Sequence, residues 1–217
     1  MCVVRPDQIG HCGPASELGA AGRADSGTRA QPRSRVALTG WRLGSVAVSY
    51  HLVALVARPS NGGFADAVAR MGGITCVLPQ ELVVVPLTPT VKKTASTGDD
   101  QAVLGFHELT EGIVRVGESL SLICRTAYVH AENDAGPGFQ AAVGWEEGSL
   151  CWGPVFTQDR RGEAEDYYEL AKLGEGAVNR ALRFLGVDRG NSLDEFAAVG
   201  LGRNRWTWDW PGVEEDW

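Results

Sequence analysis

The stretch TAYVHAENDAGPGFQAAVGWEEGSLCWGPVF, residues 126–156, decides the fold class. Ala127, Val129 and Ala131 alternate with Tyr128, His130 and Glu132, the period of two of a strand with unlike faces. Asn-Asp-Ala-Gly-Pro-Gly then turns the chain. Phe139, Ala141, Val143 and Trp145 alternate in the next run, Glu-Glu-Gly-Ser turns again, and LCWGPVF returns. Residues 126–156 therefore read as a three-stranded antiparallel meander. Its polar side chains, Tyr128, His130 and Glu132, belong on a wet outer face.

Upstream, VAVSYHLVALVARP (46–59) is almost continuously apolar and reads as a central strand. Pro59 to Gly63 breaks it, and FADAVARMGG places Phe64, Ala67, Val68 and Met71 at helical spacing. ITCVL and LVVVPL are short strands, with Pro86 putting the second at an edge or a strand end. Thr88 to Asp100 reads as a loop or short helix. FHELTEGIVRVGE reads as a helical turn followed by a strand, and SLSLIC alternates Leu120, Leu122 and Cys124 onto one face.

Downstream, from Glu163, the period becomes helical. Tyr167, Leu170, Ala171, Ala177, Val178, Ala181, Leu182 and Leu185 fit one stripe, with Gly174 and Gly176 marking a kink, a break or a close approach. Ser192 and Glu195 have the spacing of a capping box. The expected fold is α+β: a mixed or mainly antiparallel sheet with a three-stranded meander, packed by C-terminal helices.

Residues 1–45 differ. GAAGRADSGTRAQPRSR has too few large apolar side chains to offset its ordering entropy. This segment reads as a disordered arm, a basic tail or sequence upstream of a misassigned start, with the true start near Val46 or Val48 and a single α+β domain over 46–217. The arm carries six Arg against Asp7, Glu17 and Asp25, or +3, and the remainder carries −10, which together give the chain's −7. An acidic body repels phosphate, which disfavours nucleic acid as a partner and suits a basic protein. No apolar run reaches the roughly 18–20 residues of a membrane span. No signal-peptide core opens the chain, so a cytoplasmic location is expected. Five cysteines at irregular spacing form neither a disulfide framework nor a zinc ribbon; Cys76, Cys124 and Cys151 read as small buried hydrophobes.

No GxSxG, P-loop, HExxH or paired CxxC pattern is present. Chemistry therefore has to come from scattered groups. Tyr128, His130 and Glu132 share a strand face, about 6.5–7 Å between successive Cα atoms, and form a candidate proton-transfer set or partial metal site. His107 and Glu108 join them only if the fold brings them close. His51, inside an apolar run, reads as a satisfied core histidine. His11, Cys12 and Cys2 offer at most adventitious zinc binding, and Cys124 with His130 or His107 is a formal nucleophile pair. No metal site and no cofactor are assigned. At the C-terminus Trp206, Trp208, Asp209 and Trp210 follow Arg203 and Arg205. Trp and Arg anchor interfaces, but tryptophans also close cores or lie along sheet edges.

SYHLVALVARP, AYVHAENDAGPGFQAAVGWEEG and ALRFLGVDRGNSLDEFAAVGLGRNRWTWDW together resemble small uncharacterised actinobacterial proteins, over about residues 48–210. GGITCVLPQELVV and GIVRVGESLSL are loosely similar to bacterial toxin-immunity proteins. Neither likeness brings functional residues. The leading expectation is a non-enzymatic interaction factor, immunity-like or accessory, binding a basic partner through an acidic, Trp-rich surface. The alternatives are a small enzyme or metal-binding protein using the Tyr/His/Glu face, and a nucleic-acid-associated regulator using the basic arm.

Overall fold

The computed structural model describes residues 49–59, 62–98, 100–133, 139–157, 169–170 and 175–213, all within the compact unit Ser45–Trp217. The arm over residues 1–45 lies outside the described residues. A seven-stranded sheet forms the middle layer. Its strands are β1 (Tyr50–Ala57), β2 (Cys76–Val77), β3 (Val83–Pro86), β4 (Thr126–Asn133), β5 (Phe139–Glu146), β6 (Ser149–Thr157) and β7 (Glu169–Leu170), in the order β2-β3-β1-β4-β5-β6-β7. The first six of that order are antiparallel to their neighbours, and β7 adds parallel to β6. The fold is α+β, with the meander where its alternation and turns place it.

Among the described residues, five α-helices flank the sheet: α1 (Gly63–Arg70), α2 (Pro89–Ala95), α3 (Glu111–Ser121), α4 (Ala177–Phe184) and α5 (Glu195–Ala198). One face of the sheet packs Leu52, Ala54, Val56, Ala127 and Val129 against Val178, Ala181 and Leu182 of α4, with Val199, Leu201 and Trp210 beside them. The opposite face packs Val53, Leu55, Tyr128, Val143 and Trp145 against Phe64 and Val68 of α1, Val91 of α2, and Ile113 and Leu120 of α3. Helices thus cover both faces, not only the C-terminal side. This corrects the expected wet outer face of the meander: Tyr128 is 0% exposed and His130 2%.

Helix α3 is part of that cover on the Tyr128 face, where the sequence pattern points to a turn and a strand. Ile113, Val114 and Val116 are β-branched and Gly112 and Gly117 are weak helix formers, so local propensity points away from a helix. Packing overrides it. A Cβ on Gly117 would lie 2.8 Å from the Trp145 ring, so only glycine lets α3 sit this close to the sheet. Gly144 does the same for α4, whose Phe184 ring would be 2.5 Å from an added Cβ. The expected alternation of Leu120 with Leu122 fails accordingly: Leu120 is buried inside the helix and Leu122 is 71% exposed.

Two further expectations change. Leu170 belongs to β7 rather than to a helical stripe from Glu163, while residues 163–168 and 171–174 of that stripe lie outside the described residues. Helix α4 begins at Ala177, where Gln140 Oε1 of β5 accepts from the Val178 amide at 3.2 Å. Helix α5 is capped by Asp194, whose Oδ1 accepts from the Ala197 amide at 2.8 Å, not by Ser192. Among the described residues no helix is long and apolar enough to cross a membrane.

Candidate functional site

The register of β1 against β4 brings two histidines together. His51 stands opposite Glu132, and His130 stands opposite Val53. Side chains of directly opposed residues point to the same face, and diagonal neighbours on that face are within reach of long side chains. His51 and His130 are such a diagonal pair, with ring centroids 5.7 Å apart in an edge-to-face arrangement. Phe139 of β5 closes the far side of His130, its centroid 5.1 Å away.

The segment between α2 and α3 adds a carboxylate. Phe106 and Leu109 are both buried, and the Phe106 ring packs on Tyr128 at 5.3 Å and on Phe156 at 4.7 Å. The Val103 amide donates to the Leu109 carbonyl at 2.9 Å, and Ala102 bridges to Thr110. Anchored on both sides, Glu108 reaches toward β1 and β4. Its Oε1 lies 3.6 Å from His51 Nε2, and its Oε2 is ion-paired with Lys92 of α2. Helix α2 is fixed by Pro89 at its start, by Thr88 Oγ1 accepting from the Val91 amide, and by burial of Val91, which sets Lys92 beside the carboxylate.

The environment separates the charges of these groups. The neighbouring His51 imidazole and the Lys92 ammonium hold the Glu108 carboxyl down at about 2, against the opposing pull of burial. Burial pushes His130 down to about 4, with the Glu108 charge working the other way. Near neutral pH this gives an anionic carboxylate facing a neutral, buried imidazole. Burial, helped by the charge of Glu108, raises the Tyr128 phenol well above its ordinary value, so it keeps its proton.

Neither ring nitrogen of His130 makes a hydrogen bond with a described residue, and the same holds for His51 Nδ1 and the Tyr128 hydroxyl. Buried polar atoms are nearly always paired, and leaving one unpaired costs about 1–3 kcal/mol. These four atoms belong to His51, Tyr128 and His130, three residues on one face of β1 and β4. One nitrogen or oxygen from each of His51, Glu108 and His130 lies within 4.8 Å of the others, a set able to hold a metal ion.

The expected trio is divided. Tyr128 and His130 are buried, whereas the Glu132 side chain is 52% exposed, with Oε2 3.9 Å from His130 Nε2. Glu108 joins His130. His107 is exposed, its ring 6.2 Å from Phe139. His51 is not the satisfied core residue of the sequence reading, because Nδ1 is unpaired. Its signal was a titratable residue interrupting the apolar run of β1. The cysteines correct the uniform expectation of burial: Cys76 is buried, Cys124 half-buried and Cys151 exposed. Burial raises the Cys124 thiol, the opposite of nucleophile activation.

The Trp-rich segment lies along β1. The His51 amide donates to the Arg205 carbonyl at 2.7 Å, and Thr207 Oγ1 accepts from the Val53 amide at 3.0 Å and donates to the His51 carbonyl at 3.3 Å. Trp210 is 1% exposed, with the Arg203 guanidinium 5.3 Å above its ring. Asp209 accepts from the amides of Arg205 and Trp206. Trp206 and Trp208 stack on each other at 5.1 Å, and Trp208 remains 39% exposed. No protein-family model, curated protein or solved structure matches the chain.

Proposed function

We propose that the protein is a small enzyme whose reaction centre is the His51–Glu108–His130 cluster, acting by proton transfer on a polar small molecule. One observation carries this reading: a buried imidazole, neither nitrogen of which is bonded to a described residue, faces an anionic carboxylate and a second imidazole. Glu108 orients His51 through Nε2, which leaves His51 Nδ1 as the lone-pair nitrogen and general base. Lys92 holds the second oxygen of the carboxylate. His130 offers the substrate a neutral hydrogen-bonding edge, and Tyr128 a protonated hydroxyl. A cytoplasmic setting suits the free thiols of Cys76, Cys124 and Cys151.

The test is turnover of chromogenic carboxylate and phosphate esters by the wild type and by His51→Ala, Glu108→Gln and His130→Leu. The expected result is hydrolysis that falls about 100- to 10,000-fold in His51→Ala. Equal rates in all four proteins, or none, would remove the reading.

A second reading is favoured by the exposed side of the Trp206–Trp208 stack: an immunity-like or accessory factor that binds a basic partner protein. Its anchor would be Trp208, since Trp210 and Asp209 are used inside the fold. Binding would weaken by about 2 kcal/mol in Trp208→Ala. A partner bound equally well by that variant would discard it.

A further inference from the structure

We infer that His51, Glu108 and His130 are the protein ligands of a divalent transition-metal ion of the zinc class, with the remaining coordination positions open to solvent or substrate. The three donor atoms lie within 4.8 Å of one another. Around a tetrahedral ion with bonds of about 2.0–2.1 Å the donors stand about 3.4 Å apart, so side-chain rotations of about 1 Å close the set. The backbone need not move, since two ligands sit on adjacent central strands and the third on a segment pinned by Phe106 and Leu109.

The donor chemistry selects the ion. Two imidazoles and one carboxylate suit zinc, cobalt, nickel or ferrous iron, whereas calcium and magnesium require oxygen. Three protein ligands, rather than four, leave a position free, the arrangement of sites that bind and activate a water. His130 is the second, independent observation. It is 2% exposed, and neither nitrogen has a hydrogen-bond partner among the described residues. A metal gives one of them a bond.

The surroundings fit as well. Glu108 divides its oxygens: Oε1 faces His51, while Oε2 is held by Lys92, which fixes the carboxylate as outer partners of metal ligands do. The inference deepens the catalytic reading and changes the role of His51: as a ligand its lone pair would be held by the ion, and a water on the ion would supply the base; ion binding is measured without turnover. A protein that binds the ion and hydrolyses nothing would overturn only the enzyme proposal.

The experiment uses the full chain with Cys2, His11 and Cys12 replaced by Ser, Ala and Ser, so that those donors contribute nothing. Chelator-treated protein is titrated with Zn²⁺ by calorimetry and with Co²⁺ by visible absorption. One ion per chain is expected, with a cobalt spectrum free of thiolate charge transfer. Affinity should fall by more than the 10- to 100-fold that loss of an outer partner costs, in each of His51→Ala, His130→Ala and Glu108→Gln. Glu108→Gln keeps the shape of the side chain and decides the matter if a histidine variant fails to fold. No stoichiometric binding, a thiolate band, or affinity unchanged in Glu108→Gln would overturn the inference.

Discussion

Replacing His130 by Leu should make the metal-free protein more stable at pH 7.5. The two side chains are of similar size, and the position is 2% exposed, so the change exchanges a buried ring with two unpaired nitrogens for an apolar group. Relieving the unpaired polar atoms stabilises by about 1–3 kcal/mol. At about 2–4 °C per kcal/mol for a domain of this size, the melting temperature rises by about 2–12 °C. Acid adds a second signature. Burial holds the folded-state His130 at about 4, whereas the unfolded imidazole titrates near ~6.5. The unfolded chain therefore takes up the proton first, and the contribution of His130 is complete above ~6.5 and lost as the pH falls through about 4. That loss is on the order of 3 kcal/mol, and the Leu variant lacks it. The assay is urea unfolding of both proteins with chelator at pH values from 7.5 to 4. A Leu variant at least 1 kcal/mol less stable at pH 7.5, or two parallel pH profiles, would refute the reasoning: the first by showing that His130 is satisfied, the second that it does not titrate as a buried group.

Gly117→Ala should destabilise by about 1–3 kcal/mol, because its Cβ would meet the Trp145 ring, although Ala is the better helix former by about 1 kcal/mol; a gain in chemical denaturation midpoint would contradict the packing of α3. Trp210→Ala should cost about 3–5 kcal/mol, as a fully buried large side chain does. Trp208→Ala should stay within about 0.5 kcal/mol, as exposed positions do, and equal losses in the two melting curves would show that the tail is not seated as described. Thr207→Val removes the acceptor for the Val53 amide and should cost about 1–3 kcal/mol, visible as faster hydrogen exchange at Val53; an unchanged exchange rate would count against that bond.

The parts of the fold written in local pattern were readable from the chain. The alternation in β4 and β5 grouped the side chains correctly, Tyr128 with His130 and Ala141 with Val143 and Trp145, because period two survives tertiary context, but it placed the polar group of β4 on a wet face that is buried. The apolar run of β1 announced a strand covered on both sides. Helix α3 was not readable, since Gly112, Gly117 and three β-branched residues argue locally for another conformation, and only the flat ring of Trp145 explains Gly117. Without α3 and the Phe106–Leu109 segment the polar face of β4 reads as wet, and His130 as a surface residue. The site depended on pairing. His51 and His130 meet through the register of two strands far apart in sequence, and no short-range signal sets that register. Glu108 enters from a non-repetitive segment whose course is fixed by Phe106 and Leu109. The tryptophans were legible as residues that either pack or bind, and Thr207, the one that hydrogen-bonds the strand, carried no signal beyond its place between two of them.

The most direct measurement follows the ¹⁵N imidazole resonances of the full chain while Zn²⁺ is added. Signals of His51 and His130 are expected to shift together, in slow exchange, and to stop at one equivalent, with both effects absent in Glu108→Gln. Resonances of His51 and His130 that stay in place, or that respond at different metal equivalents, would contradict the claim that the two histidines and Glu108 form a single centre.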